Sequence, residues 1–240
     1  MKPRHKHVSI TGLIIYSIGI VLGMIFCGWL FWGEIEAFLL VKDVGQDRLT
    51  TLRCPLMLSS AEMGTVIADF NNPTTEGITP LVRANISHVP LMRTEASMIT
   101  LAPGGKKQML WTVGPQDVVF NKLILINIFE NAQKNFNSRQ GSCSIPVLMI
   151  PGLPGKWLFI FAFALIVLSL AAGSALWVIG NSSLRDPKQN ATSAGFALAV
   201  VLILDLLLTL PRWWLPGVFL FFAAIMLIVI IITQFVLFPS

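Results

Sequence analysis

Charged residues are scarce in this sequence, at 12% of its 240 residues, whereas hydrophobic residues make up 55%. A soluble globular protein carries roughly 25% charged residues, and the mean hydropathy here is +0.74. The composition is therefore not that of a soluble domain. We expect a lipid bilayer to be the main solvent of the chain.

Motifs for metal binding and catalysis are also missing. The three histidines and three cysteines have no metal-ligand spacing, and the acids of the polar segment have no paired spacing. His88 is the only histidine of that segment and precedes Val89-Pro90, so we interpret it as a turn residue. The sequence predicts a non-enzymatic protein with no cofactor and no metal.

The net charge of +5 does not indicate a nucleic-acid partner. The 17 lysines and arginines are scattered along the chain, and no element carries the basic stripe that a nucleic-acid interface requires.

Long apolar runs account for most of what is present. About 20 apolar residues span the roughly 30 Å hydrocarbon core of a bilayer, and four runs reach that length. They predict transmembrane helices at residues 8–32, 157–180, 193–210 and 216–238. The first run is too long for the core of a signal peptide, so we interpret it as a retained anchor. The remaining segments are an N-terminal tail (1–7), a polar domain (33–156), a loop (181–192) and a turn (211–215).

Basic residues in the short segments predict the orientation. Lys2, Arg4 and Lys6 precede the first run, and Arg185 and Lys188 lie in the loop after the second. Because short basic segments stay in the cytoplasm, we expect both termini to be cytoplasmic and residues 33–156 to be extracytoplasmic. The cell membrane is the expected location, with multiple passes.

The polar domain shows short β-rich runs broken by turn residues rather than helical periodicity. The predicted fold class is therefore α+β: four transmembrane helices with an immunoglobulin-like antiparallel β-sandwich between helices 1 and 2. The run at 122–129 is apolar at nearly every position, which predicts a central strand covered on both faces. The predicted strands are Thr51–Leu58, Gly64–Phe70, Leu81–Ser87, Ser97–Leu101, Gln108–Val113, Lys122–Phe129 and Cys143–Met149.

Two cysteines fall in the outer domain. In an oxidising compartment Cys54 and Cys143 predict a disulfide, which would tie the entrance of the domain to its exit. The bond would close a loop of about 90 residues, which implies a stabilisation of roughly 3–5 kcal/mol. Two buried free thiols are the alternative. Cys27, within the first run, is interpreted as a small apolar filler.

One carboxylate interrupts the third apolar run. Asp205 lies among leucines and isoleucines, where insertion costs roughly 2.5–3.5 kcal/mol. It is a candidate for a proton or cation relay, or for a pairing point. The candidate partners are Arg212, a hydroxyl group such as that of Ser169, Ser174 or Thr209, and another subunit. A protonated structural Asp that donates one hydrogen bond is the alternative.

Small and aromatic residues predict how the helices pack and where they leave the lipid. Gly19 and Gly23 form a Gly-x3-Gly pattern on the first helix, which favours close helix packing within the bundle or with a partner. Glu34 and Glu36 are interpreted as a solvated end of that helix. The expected interface belt comprises Trp29, Trp32, Trp157, Trp213 and Trp214.

These patterns predict a non-enzymatic accessory or scaffold subunit of a membrane assembly, whose outer β-sandwich binds protein. The expected partners are the lipid bilayer and either other membrane-protein subunits or further copies of the chain. The alternative hypothesis is a transporter or channel subunit with Asp205 as its intramembrane cation or proton site. A membrane enzyme acting on lipid is a third hypothesis, for which Glu34 and Glu36 are the nearest acids.

Overall fold

The structure is a computed structural model that describes residues 3–40, 45–133, 136–150, 152–181, 189–210 and 214–237. The chain divides into two compact units, one of residues 1–31 with 160–240 and one of residues 32–159. The helices are α1 (Pro3–Leu39), α2 (Gly155–Asn181), α3 (Gln189–Thr209) and α4 (Trp214–Leu237). The strands are β1 (Asp47–Arg48), β2 (Leu58–Ser59), β3 (Gly64–Asn71), β4 (Leu81–Ile86), β5 (Arg93–Met98), β6 (Lys106–Val113), β7 (Leu123–Glu130) and β8 (Arg139–Leu148).

Three helices are long and apolar enough to cross a membrane, within His7–Leu39, Gly155–Gly180 and Leu215–Thr233. The apolar part of α3 is shorter and covers Ala194–Thr209. The integral-membrane character expected from composition is therefore supported by three helices.

The β domain is built from two sheets of unequal size. The larger has the strand order β1-β8-β7-β4-β5, with β2 also paired to β8, and the smaller is the β3–β6 pair. One hydrophobic core contains side chains from both, including Phe70 and Trp111 from the small sheet and Ile126 and Ile145 from the large sheet. The domain is therefore a two-layer β-sandwich.

Strand β7 is covered on both faces, as its apolar sequence predicts. It lies between β4 and β8, and the first six of its eight residues are all buried. Ile124, Ile126 and Ile128 belong to the core between the sheets. On the other face lies the end of α1, where a Cβ on Gly33 would stand 3.1 Å from Leu123 and 2.5 Å from the Ser144 hydroxyl.

The large sheet is mixed, so the prediction of an antiparallel sandwich is wrong for two pairs. Strands β1 and β2 each pair with β8 in the parallel sense over two residues. The chain thus runs beside β8 twice in short contacts. The apolar patterns of longer strands do not reveal such two-residue pairings.

Two predicted strands are misplaced. In the range predicted as one strand, Thr51–Leu58, Arg53 forms an isolated bridge to Ile67 of β3 and Leu58 begins β2. Pro55 lies between them and has no N–H group to continue a ladder. The strand predicted at 97–101 instead covers Arg93–Met98 as β5. Five of the six β5 residues are exposed, so this edge strand lacks the apolar alternation that marks half-buried strands.

Candidate functional site

The intramembrane candidate Asp205 is enclosed by the helix unit. Its side chain is 0% exposed, and the thiol of Cys27 on α1 faces its carboxyl group. On α4, a Cβ on Gly217 would lie 3.4 Å from Asp205 Oδ1. Side chains or backbone of three helices therefore surround the carboxyl group.

Neither carboxylate oxygen of Asp205 has a hydrogen-bond partner among the residues that the structure describes. Two hydroxyl groups considered from the sequence are used elsewhere: Thr209 donates to the Leu206 carbonyl at 2.6 Å and Ser174 to the Ala171 carbonyl at 3.0 Å. Arg212 lies outside the described residues. The pairing of Asp205 stays a prediction.

The predicted packing glycines lie between α1 and α2. A Cβ on Gly19 would stand 3.1 Å from the Leu170 backbone nitrogen, and one on Gly23 would stand 3.3 Å from Ile166. The contact extends to Gly12, where a Cβ would lie 2.5 Å from the Trp177 backbone nitrogen. The structure thus places this small-residue face against a helix of the same chain.

The tryptophans of the expected belt differ in exposure. Trp32 and Trp157 are 60% and 62% exposed, and Trp29 is half-buried. Trp213 lies outside the described residues, and so does the side chain of Trp214.

Cys54 and Cys143 form a disulfide, with a Cα–Cα distance of 6.7 Å and a sequence separation of 89. Cys143 on β8 is fully buried in the core, and Cys54 packs against that core. Cys54 follows Arg53, which bridges to β3 of the small sheet. The bond therefore joins the two sheets inside the sandwich, rather than acting as a clasp at its ends.

A buried carboxylate organises one end of the sandwich. Asp117 is 0% exposed, and its Oδ2 accepts the Gly114 N–H at 3.0 Å. His88 Nδ1 lies 3.2 Å from Oδ1, and the guanidinium of Arg93 lies 3.5 Å from Oδ2. The Ser87 hydroxyl donates to the Asp117 carbonyl at 2.6 Å. His88 is thus the partner of a buried acid 29 residues away. No local sequence motif indicates this pairing.

A second buried carboxyl group, on Glu130, has fewer polar neighbours. Burial raises its pKa to about 7, which the nearby Arg139 opposes. The closest Arg139 nitrogen is 3.9 Å from Oε2, and neither Glu130 oxygen has a hydrogen-bond partner among the described residues. Burial therefore favours the protonated form of Glu130.

The end of α1 is not solvated as expected. Glu34 is only 8% exposed, and its Oε1 lies 3.2 Å from the Ser144 N–H and 3.4 Å from the Ser144 hydroxyl. The helix continues past Trp32 to Leu39 because its last turns pack on the sheet. Glu34 is therefore a buried anchor of α1 on β8.

One edge of the large sheet is open among the described residues, since β5 pairs only with β4 there. Ile99 and Leu101 donate their N–H groups toward Pro80 and Ile78, on the β4 side. Alternation along the strand therefore directs the N–H groups of Thr94, Ala96 and Met98 toward the open edge.

Neither a family model nor a curated protein matches the chain. Solved structures similar to it include the CARDB domain of a Pyrococcus furiosus protein in complex with di-metal ions (14% identity, TM-score 0.32, covering 40% of this chain and 84% of that chain). A β-glucosidase from Erythrobacter marinus (14%, 0.33, 41% and 15%) and red sea bream transglutaminase (14%, 0.31, 43% and 17%) also match. TM-scores this low assign neither fold nor function.

Proposed function

We propose that this chain is a non-enzymatic accessory or scaffold subunit of a membrane assembly, whose outer β-sandwich binds an extended segment of a partner protein. In this proposal the immunoglobulin-like domain is extracytoplasmic, both termini are cytoplasmic, and the membrane is the cell membrane. Helix α3 serves as the fourth span, because its 21 residues reach about 32 Å at 1.5 Å per residue.

The open edge of β5 carries this proposal. An exposed strand with unpaired N–H and C=O groups is a template for pairing with another chain, and partner proteins use such edges by adding a strand. Five of the six β5 residues are exposed. A partner segment would bond the outward N–H groups of Thr94, Ala96 and Met98.

Apolar side chains flank this edge. Met98 is 74% exposed, and Leu110 on β6 is 60% exposed. Strand β6 lies beside β5, since Arg93 donates to the Thr112 carbonyl at 2.9 Å. Alternate side chains of a bound strand would therefore find apolar contacts, which supply specificity in this mode of recognition.

Ala96→Pro tests the edge directly. The Ala96 N–H faces away from β4, so proline at this position removes it without removing a hydrogen bond to β4. Proline is tolerated at such edge positions. Ala96→Ser keeps the N–H and is the matched control. Each tagged variant is purified in mild detergent from its native membrane, and stoichiometric partners are identified by mass spectrometry.

We expect the unmodified chain and Ala96→Ser to retain a defined partner set that Ala96→Pro loses, with equal thermal stability of both variants. Retention of every partner by Ala96→Pro would contradict binding at this edge. Purification of the unmodified chain as a homo-oligomer alone would contradict the accessory-subunit function.

The burial of Asp205 favours a second candidate function, an intramembrane cation or proton site. A carboxyl group without hydrogen-bond partners in an apolar bundle is costly, and an occupying cation or proton would offset that cost. Asp205→Asn keeps the shape and removes the charge. Lost transport in proteoliposomes with normal assembly supports the site, whereas lost assembly assigns Asp205 to subunit pairing.

A further inference from the structure

A groove of about 410 Å³ lies between the end of α1 and two loops of the β domain. We call it the α1 groove. Leu39 and Leu40 line it on the helix side, and Val89, Met92 and Phe120 line it on the loop side. Leu39, Val89 and Phe120 are each at least 60% exposed. The walls of the groove therefore offer apolar surface to a binding partner.

The polar groups that the α1 groove offers to a partner are hydrogen-bond acceptors. The Ser87 hydroxyl is occupied, because it donates to the Asp117 carbonyl at 2.6 Å and accepts the Leu125 N–H at 2.9 Å. Since the Asp117 carboxylate can only accept, His88 Nδ1 must be the donor in their contact, which leaves Nε2 of the neutral ring as an acceptor. The Glu36 carboxylate adds a negative charge, and the described residues of the lining include no lysine or arginine.

Apolar walls beside acceptors suit two kinds of protein side chain. Lysine and arginine bury an apolar stem along apolar surface while the charged head keeps its N–H groups for acceptors. In the α1 groove such a stem would lie between Leu39 and Met92, and the head would donate to the Glu36 carboxylate and to His88 Nε2. The Phe120 ring offers the same head a cation–π contact. The groove is therefore complementary in charge and in shape to a cationic side chain.

The α1 groove lies on the face of the large sheet that points away from the core. Leu125 lines the groove, whereas its neighbour Ile124 belongs to the core, and successive side chains of a strand point to opposite faces. The same rule applies to β5. Ala84 of β4 belongs to the core and pairs with Glu95, so Thr94, at the next position, projects from the face that carries the groove.

The α1 groove also adjoins the open edge of β5. Met92 lines the groove, and the next residue, Arg93, begins β5. Because a strand rises about 3.4 Å per residue, a segment that pairs with Ala96 comes level with Met92 about 14 Å further along. Its side chain paired with Thr94 projects from the face of the groove. A strand added at this edge is therefore directed toward the groove.

We propose that the partner segment that pairs with β5 continues into the α1 groove and places a lysine or arginine side chain there, bonded to Glu36 and His88. This inference rests on the proposed function and names the chemistry of the partner. Backbone pairing at an edge accepts many extended segments, whereas side-chain pockets beside the edge supply specificity. The groove selects segments that carry a basic residue about four positions beyond the one paired with Ala96.

A photoreactive residue at Met92 identifies the occupant in native membranes. The cross-linked product of the full chain is digested with chymotrypsin, which does not cleave at basic residues, and sequenced by mass spectrometry. We expect a cross-link to a segment of another protein that contains a lysine or arginine. A lipid adduct, a cross-link to a second copy of the chain, or a segment without a basic residue would overturn the proposal.

A charge reversal at Glu36 tests the contact itself. Glu36→Lys should lower recovery of the cross-linked partner in mild detergent about tenfold or more, because a charge-assisted hydrogen bond is replaced by repulsion. Glu76→Lys makes the same change at an exposed acid outside the groove lining and should leave recovery unchanged. Replacing the cross-linked basic residue of the partner by glutamate should restore its recovery with Glu36→Lys. Unchanged recovery with Glu36→Lys, or no restoration by the second charge reversal, would contradict the proposal.

Comparison with Ala96→Pro separates this inference from the proposed function. We expect both Ala96→Pro and Glu36→Lys to lose the same partner, with melting temperatures equal to those of Ala96→Ser and Glu76→Lys. Loss with Ala96→Pro alone would overturn the groove contact and leave binding at the edge intact. Loss with Glu36→Lys alone would show that the groove binds without the edge, which overturns both. Retention by both variants would overturn both as well.

Discussion

The β domain and the helix unit exclude water by different means. In the β domain, large side chains such as Phe70 and Ile126 fill the space between two sheets. In the helix unit, backbones approach directly at glycines: a Cβ on Gly173 of α2 would lie 2.5 Å from the Tyr16 backbone nitrogen of α1. A core of side chains can repack around a substitution, whereas two backbones in direct contact leave no side chain that could move aside.

Two buried acids, one in each region, also differ in their surroundings. Asp117 in the β domain has an N–H donor, an imidazole and a guanidinium around it. Asp205 in the helix unit has no hydrogen-bond partner among the described residues. The β domain thus surrounds Asp117 with donors, whereas the helix unit encloses Asp205 beside the Cys27 thiol.

The largest effect is expected where backbones touch. Gly173→Leu should destabilise the helix unit by about 3 kcal/mol or more, because the new side chain must displace the backbone of α1. The measurement is the melting temperature and the monodisperse fraction of the full chain in detergent.

Ala172→Leu adds the same side chain one position away, on an exposed part of α2. It should leave both readouts unchanged. If the two variants have the same melting temperature, the close contact at Gly173 does not stabilise this unit.

Loss of the inter-sheet disulfide should come next. Replacing Cys54 and Cys143 together by serine should lower the free energy of unfolding by roughly 3–5 kcal/mol, because the bond closes a long loop in the unfolded chain. Chemical denaturation of the full chain measures it. An unchanged free energy of unfolding in the double variant would contradict this contribution of the disulfide.

The buried hydrogen bonds and ion pairs around Asp117 should contribute somewhat less to stability than the disulfide. Asp117→Asn should cost about 2–4 kcal/mol, because it leaves a guanidinium and an imidazole without their buried partner. Arg93 also lies 3.4 Å from Glu95, which is half exposed. Glu95→Gln should change stability by no more than about 0.5 kcal/mol, so thermal melts of these two variants compare a buried and an exposed acid on one arginine. Equal losses would mean that burial of the acid is irrelevant.

Glu130 should give the smallest effect, and one that depends on pH. The folded chain binds this proton more tightly than the unfolded chain, because burial raises the pKa from 4.5 to about 7. Stability should therefore fall as pH rises from about 4.5 through 7. Glu130→Gln should flatten that dependence and stabilise the chain at pH 8 by up to about 3 kcal/mol, as measured by melting at pH 5 and pH 8. A variant with the same pH profile as the original would contradict a raised pKa.

Much of the fold is readable from the sequence where burial leaves a pattern. The apolar runs predicted long helices, and the continuous apolar stretch of β7 predicted a strand covered on both faces. Strand β5 escaped because its residues face water on both sides, so no alternation marks it. The helix α1 was predicted to end early because two glutamates follow Trp32, whereas Glu34 finds its partner on β8.

The site residues were less predictable for the same reason. Ser144 is 110 residues from Glu34, and Asp117 is 29 residues from His88. Each pair meets only through the packing of distant elements, which a local pattern does not encode. The disulfide was predictable because only two cysteines fall in the outer domain, but its place between the two sheets was not.

The position of Cys143 also sets the order of events while the chain is being made. It lies on β8, the last strand of the domain, and only residues 144–154 separate it from α2. With the β domain outside the cytoplasm, as proposed, Cys54 crosses the membrane early and must wait for nearly the whole domain before its partner arrives. On this proposal the pair can be oxidised only after nearly the whole domain has been translocated.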